Sequence, residues 1–214
     1  MTTASFAAAM LDGKDITEEL TAFVHFVGPE RLVPGRWSLL PAFQLFEGHK
    51  GGTLNPSNVM REIEALEGVG NPSILKPPVQ NRHPPLKGPW HKHYLTDAML
   101  DRIRNLRNAF REYGSPRLDR LVRDADGTKE SRFPSLEDLR AITYDVTHEN
   151  WIRRAEATEI TGEWIIFAKN SGQNYCLALG THDKVTHARV REPIDGLCCF
   201  EFSFLNALQR DAGA

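Results

Sequence analysis

The stretch that decides the fold is residues 163–180, EWIIFAKNSGQNYCLALG. It contains two runs rich in aromatic, β-branched and other apolar residues, at 164–167 and 175–179. The polar residues between them, 170–173, include a glycine, as a tight turn requires. This pattern predicts a β-hairpin.

The chain before this hairpin mostly predicts helices. Apolar residues recur at helical spacing after capping residues in four segments, which are about 17–26, 56–67, 96–113 and 135–157. Residues 29–52 are interrupted by prolines and glycine, so we expect packed, irregular or short-stranded structure there. Further strands are expected near residues 186–190 and 197–202. The fold class predicted is α+β, with a helical N-terminal and central part followed by a small antiparallel β-sheet.

Prolines suggest how the chain is divided. Six of the thirteen prolines fall between Pro72 and Pro89, where missing amide donors exclude regular helix and central strand. We predict a mostly helical N-terminal subdomain over residues 1–70, a proline strap over 71–89, and an α+β domain over 90–214 that ends in the sheet. The alternative is one continuous domain over residues 1–214.

The composition and motifs of the sequence disfavour a membrane protein, a secreted protein and a nucleotide-binding α/β enzyme. The 214 residues contain no apolar run of the roughly 20 residues that cross a bilayer, and the first ten residues are not typical of a secretory signal. We therefore expect a cytoplasmic protein with no membrane partner. The three cysteines are not spaced like a zinc or redox motif and are expected to be buried. The glycine-rich residues 48–52 lack the P-loop spacing, which disfavours a nucleotide-binding α/β enzyme.

The net charge of −2 conceals a central basic block, residues 76–123, with 11 basic and 4 acidic side chains. Both flanking segments are acidic. Such a block is typical of a protein that binds RNA or another polyanion. The alternative is that these cations cover a solvated helix face and pair with acids from the flanking segments.

The densest group of reactive side chains is WHKHY, residues 90–94. In an extended chain His91 and His93 project to the same side, since side-chain direction repeats every two residues. Two such imidazoles could serve as general acid and base, bind a metal, or contact phosphate. They could also be ordinary hydrogen-bonding residues at the entry to a helix.

His182 follows the second strand of the predicted hairpin, at its open end. Glu163 begins the first strand and lies at the same end, so it can approach His182. A carboxylate beside an imidazole shifts both pKa values toward acid–base work. The alternative is that Glu163 belongs only to the turn that starts the strand.

Two chemistries fit these residues. In the first, His91, His93, His182 and Glu163 carry out metal-independent RNA cleavage. The cations expected to bind phosphate are Lys92, Arg104, Arg107 and Arg111. In the second, His91 and His93 join His182, His187 or His148 around a metal that activates water. No His-Glu-x-x-His motif or compact ligand set is present, so the first is preferred and no metal or cofactor is expected.

Basic helices followed by a small antiparallel sheet with His and Thr resemble, over roughly residues 90–204, the small bacterial toxin-type ribonucleases. The resemblance is one of arrangement, and no residue's role is taken from it. From the basic block and the histidines we expect a nucleic-acid-directed ribonuclease of toxin or mobile-element type, with RNA or another polyanion and an inhibitory protein as the expected partners. A competing hypothesis is a non-catalytic protein-binding factor of immunity, antitoxin-like or regulatory type.

Overall fold

The predicted hairpin is present and forms the centre of the protein. In the computed structural model, which describes residues 9–11, 13–96, 99–128 and 133–208, β5 (Glu163–Asn170) pairs antiparallel with β6 (Gln173–Gly180). Ser171 and Gly172 form the two-residue turn, and their φ angles are 51° and 78°. Two consecutive positive φ angles give a turn whose twist matches that of the paired strands.

The proline strap and the histidine-containing segment extend this hairpin into a four-stranded antiparallel sheet. β4 (Trp90–Tyr94) pairs with β5, and β3 (Val79–Gln80) pairs with β4, so the strand order is β3-β4-β5-β6. A separate two-stranded sheet joins β1 (Met10–Leu11) to β2 (Lys14–Asp15).

Helices precede, interrupt and follow the strands, so the fold is α+β as predicted. The helices are α1 (Thr17–Val27), α2 (Pro29–Leu32), α3 (Leu39–Lys50), α4 (Pro56–Leu66), α5 (Met99–Tyr113), α6 (Pro116–Thr128), α7 (Leu136–Tyr144), α8 (Asn150–Glu156), α9 (His187–Pro193) and α10 (Cys199–Glu201). π-helical turns connect α7 to α8 and α9 to α10. Within the described residues, no helix is long and apolar enough to cross a membrane.

The N-terminal helices cover one face of the sheet. Leu45 of α3 and Ile63 of α4 pack with Ile165 and Leu179 of the hairpin in one buried cluster. Residues of the 1–70 segment therefore share a core with the sheet, and the division of the chain at residues 70 and 89 stays a prediction.

The expectation of irregular or short-stranded structure over residues 29–52 is wrong, because much of this segment is helical. Ser38 caps α3, and its side chain accepts a hydrogen bond from the amide of Leu40. Pro41 lies in the first turn of α3, where its missing amide donor breaks no hydrogen bond within the helix. Ala42 and Leu45 then recur at helical spacing and are buried.

The C-terminal helices cover the opposite face of the sheet. The expected strands near residues 186–190 and 197–202 are instead mostly helical, because these residues fall in α9, the π-helical turn Ile194–Cys198 and α10. Ile194 and Cys198 are four residues apart and pack with Ile166 and Ala178. Helical spacing thus outweighs the strand preference of the individual apolar residues. All three cysteines are free and buried, as expected.

The central helices differ from expectation in what they bury. Ser135 and Asp138 form a capping box at the start of α7, within the helical segment predicted from residue 135. The helical spacing of Leu136 and Leu139 in that segment predicts a buried face, but they are 65% and 50% exposed. The amphipathic pattern predicts the helix correctly but not the burial of its apolar face.

Candidate active site

His91 and His93 lie side by side on one face of β4, as their spacing predicts. The register with β5 places His91 opposite Ile166 and His93 opposite Trp164. The centroids of the two imidazole rings are 5.4 Å apart. The intervening residue, Lys92, therefore points to the other face of the sheet.

Two further histidines join them around Trp164. The His91 ring stacks on Trp164 with a centroid separation of 4.1 Å, and His182 stacks on His93 at 5.0 Å. His187, the first residue of α9, contacts Trp164 at 4.9 Å. We call His91, His93, Trp164, His182 and His187 the histidine cluster. It brings together residues from β4, from β5 and from the segment after β6.

Hydrogen bonds orient the two β4 imidazoles. His91 Nδ1 lies 2.8 Å from Oδ1 of Asn81, and His93 Nδ1 lies 2.8 Å from the carbonyl oxygen of Gly162. Because both partners are acceptors, we assign the proton to Nδ1 of each ring; the Gly162 amide, 3.4 Å from Nδ1 of His93, is the longer contact. Nε2 of each ring then holds a lone pair and can accept a proton.

Position 162 must be glycine for this arrangement. A Cβ atom added there would lie 2.0 Å from the carbonyl oxygen of Tyr94. The absence of a side chain lets the chain before β5 pass close to the end of β4. Gly162 thereby reaches the His93 ring with its carbonyl group.

Buried polar atoms without hydrogen-bond partners lie in the histidine cluster and on Asn81, which bonds to His91. Of the six buried side-chain nitrogen or oxygen atoms found unpartnered in the described residues, three are Nε2 of His182, Nε1 of Trp164 and Nδ2 of Asn81. Leaving such an atom unpaired costs about 1–3 kcal/mol.

Burial makes these imidazoles hard to protonate. It lowers the pKa of His91 to about 4, and the nearby His182 and His187 act in the same direction. Burial likewise lowers the pKa of His93 to about 3. The pKa of His182 is also lowered by burial, with partial opposition from the Glu163 carboxylate. All three rings are therefore neutral near pH 7.

Glu163 and Arg104 lie at the edge of the histidine cluster. Oε2 of Glu163 accepts a hydrogen bond of 2.7 Å from the backbone amide of His182, so it holds the chain there rather than bonding the ring. Arg104 of α5 is 3.4 Å from Glu163 and 3.1 Å from Asp101. Its side chain is 32% exposed, which leaves the guanidinium partly accessible beside the imidazoles.

Lys92 is not part of the histidine cluster. It is 3% exposed on the opposite face of the sheet, and its ammonium lies 3.1 Å from the Glu62 carboxylate. Its predicted contact with phosphate at the histidines is therefore not supported by its position. Sequence reasoning identified the residue as a cation but did not predict its buried partner.

Arg107 and Arg111 are exposed on α5, beyond Arg104. Arg111 and Lys76 line an open cavity of about 410 Å³, together with Arg154. Arg154 is already paired with Glu112 and Glu159. Arg107 and Arg111 thus lie on the same helix as Arg104 but do not touch the histidine cluster.

The described residues contain no group of three or more His, Cys, Asp or Glu side chains placed to hold one metal ion. His148, a candidate ligand, lies on the turn between α7 and α8, where its ring contacts Tyr144 at 4.7 Å. Within the described residues, His91 and His93 therefore do not form a metal site with His182, His187 or His148.

Sequence reasoning missed one member of the histidine cluster, Trp164, and named His187 only as an alternative metal ligand. Trp164 could have been found by extending the two-residue alternation across the sheet, since it faces His93. The place of His187 beside Trp164 could not be predicted, because the segment expected to be a strand near residues 186–190 is helical.

The chain matches no protein-family model, and no curated protein or solved structure matches it either. What the histidine cluster can do is therefore inferred from its geometry and its chemistry.

Proposed function

We propose that the protein is a nucleic-acid-directed enzyme, a metal-independent ribonuclease that uses the histidine cluster for acid–base chemistry. One observation carries the proposal. Imidazoles from two distant segments stack at 5.0 Å, and Nε2 of His182 has no hydrogen-bond partner in the described residues. A neutral imidazole can abstract a proton through a nitrogen that holds a lone pair. Nε2 of His182 is buried, so the proposal requires that RNA binding expose it.

In the proposed reaction, Nε2 of His182 accepts the proton of a ribose 2′-hydroxyl. The 2′-oxygen attacks phosphorus, the bond from phosphorus to the 5′-oxygen breaks, and a protonated His91 supplies the proton to that oxygen. The products are a 2′,3′-cyclic phosphate and a 5′-hydroxyl. His93 acts as a positioning residue, because its ring lies between those of His91 and His182.

The low pKa of His91 constrains this mechanism. In the free protein His91 is neutral near pH 7, since its pKa is about 4. A phosphodiester bound beside the ring brings negative charge, which raises the imidazole pKa and lets it hold the proton it must donate. The proposal therefore predicts an acidic optimum for kcat/KM, which reports the free enzyme.

Arg104 is the cation best placed to stabilise the charged transition state. It lies in one row with Arg107 and Arg111 at helical spacing on α5, and the row spans about 10 Å. Three phosphate contacts on a single strand should give a slope of about −2 in a plot of log binding constant against log salt concentration.

The experiment is RNA cleavage in the presence of EDTA. Wild-type protein should cleave, and both His182→Ala and His91→Ala should lower the rate by about 100-fold or more. His83→Ala, at an exposed position in the proline strap, is the matched control and should retain the wild-type rate. Undiminished cleavage by both cluster variants would refute the assignment.

A second candidate, a protein-binding factor, is favoured by the exposed apolar stripe of α5. Met99, Ile103 and Phe110 are 74%, 51% and 52% exposed on one side of this helix. Arg107 and Arg111 follow the stripe along one border, which fits an amphipathic helix with acidic flanks. This alternative predicts that a synthetic Leu/Glu amphipathic peptide binds wild type and that Phe110→Glu abolishes the binding. Absence of peptide binding to wild type would remove it.

A further inference from the structure

A serine hydroxyl on the other side of the sheet lies between a carboxylate and an ammonium group. Oγ of Ser73 donates a 2.5 Å hydrogen bond to Oε2 of Glu62. Nζ of Lys92 donates to the same Oγ at 2.8 Å and lies 3.1 Å from Oε2 of Glu62. The hydroxyl proton thus has an acceptor, and the hydroxyl oxygen has a cationic donor.

Burial strengthens these interactions. Glu62 and Lys92 are 1% and 3% exposed, so their charges act through little water. Burial lowers the pKa of Lys92, with the Glu62 carboxylate opposing that shift. Lys92 also donates to the carbonyl oxygens of Leu75 and Lys76, which holds the ammonium in place beneath Ser73.

A second donor to the serine oxygen is a backbone amide. The amide of Leu75 donates to Oγ of Ser73 at 3.0 Å. Negative charge on Oγ would therefore meet one cationic and one amide donor. Donors to a serine oxygen favour its deprotonated form, which is one way in which a serine nucleophile is activated.

Ser73 is also open to a cavity. Together with Lys92 it lines a cavity of about 360 Å³, whose other lining residues include Leu66, Leu75 and Pro77. This volume lies within the range of small-molecule sites, and an apolar lining with a few convergent polar groups is typical of them. A short apolar acyl chain fits both the size and the lining.

We propose that Ser73 is a nucleophilic serine that accepts an acyl group from a small ester. Oγ bonds to the acyl carbon as the bond from that carbon to the ester oxygen breaks. Glu62 takes the Oγ proton and passes it to the departing alcohol, while Lys92 stabilises negative charge on Oγ. Water then attacks the acyl-serine, releases a carboxylic acid and returns a proton to Oγ. This site is separate from the histidine cluster and does not depend on the ribonuclease proposal.

The test uses the full chain and a fluorophosphonate bearing a short alkyl group. Such a probe bonds covalently to an activated serine oxygen and loses fluoride. Intact-mass measurement should show one adduct on the wild-type protein, and peptide mapping should assign it to Ser73. Ser73→Ala should abolish the adduct, and Glu62→Gln should slow its formation by about 100-fold.

The matched control is Ser135→Ala, an exposed helix-capping serine, which should label at the wild-type rate. His182→Ala should also label normally, so failure of this proposal is distinguishable from failure of the ribonuclease proposal. No adduct on folded wild-type protein, or an adduct mapped to another residue, would overturn the assignment. Because mapping uses wild-type protein, this outcome is decisive even where a variant fails to fold.

Discussion

Acidification should destabilise the folded protein through His93. This ring is 4% exposed, and burial lowers its pKa to about 3, whereas histidine in an unfolded chain has a pKa of about 6.5. Between these values the unfolded state binds a proton that the folded state does not. The free energy of unfolding therefore falls as pH drops below about 6.5 and continues to fall until about pH 3.

The size of the effect follows from the two pKa values. Between about pH 7.5 and pH 5.0, the His93 term lowers the free energy of unfolding by about 2 kcal/mol. His91 shifts in the same direction, since its pKa is lowered to about 4. The wild-type loss over this interval should therefore be at least that of His93 alone.

Urea unfolding at the two pH values measures this loss. His93→Phe removes the titrating group from both states, so its loss between the two pH values should be smaller than that of wild type by about 2 kcal/mol. His83→Gln, at an exposed position, should leave the wild-type difference unchanged. An unchanged pH dependence in His93→Phe would show that His93 is not the buried neutral group described here.

Two further predictions concern the structure around and beyond the cluster. Gly162→Ala should lower the free energy of unfolding by about 3 kcal/mol, because the new Cβ would lie 2.0 Å from the Tyr94 carbonyl oxygen. Gly127→Ala, in open space on α6, is its control in urea unfolding and should not destabilise. Ser135→Ala removes the capping box with Asp138 and should cost about 1 kcal/mol, again measured by urea unfolding; no loss would contradict the capping role.

The parts of the fold that the sequence predicted are those set by local chemistry. The hairpin at 163–180 combines strand-forming runs with a two-residue turn, and both signals lie within 18 consecutive positions. The helix predicted over about residues 56–67 is α4, which begins after the cap Asn55 with Pro56 in its first turn, and both residues act locally. The shared face of His91 and His93 follows from strand alternation alone.

The parts that failed depend on contacts distant in the chain. Ile194 and Cys198 recur at helical spacing, but their packing on Ile166 and Ala178, which favours the helical state, is not visible in the local sequence. The same limit applies to Lys92, whose buried partner Glu62 is 30 positions earlier. Sequence reasoning grouped Lys92 with the surface cations because net charge along the chain does not distinguish the two faces of a strand.

In the candidate site too, the features set by local sequence were predicted and those set by distant contacts were not. The sequence indicated His91, His93, His182 and Glu163 from their places on strands and strand ends, and these residues do come together. It could not predict that burial keeps the rings neutral, because burial depends on the helices that cover the sheet.

The most direct measurement uses an oligodeoxynucleotide containing one ribonucleotide, incubated with the protein in EDTA. Proton abstraction by His182 from a 2′-hydroxyl predicts one cut, immediately 3′ of the ribonucleotide, and a 2′,3′-cyclic phosphate on the upstream fragment. The all-deoxy oligonucleotide should remain intact. Cleavage of that all-deoxy strand, or no cleavage of the ribonucleotide-containing one when the protein cuts RNA, would contradict the mechanism.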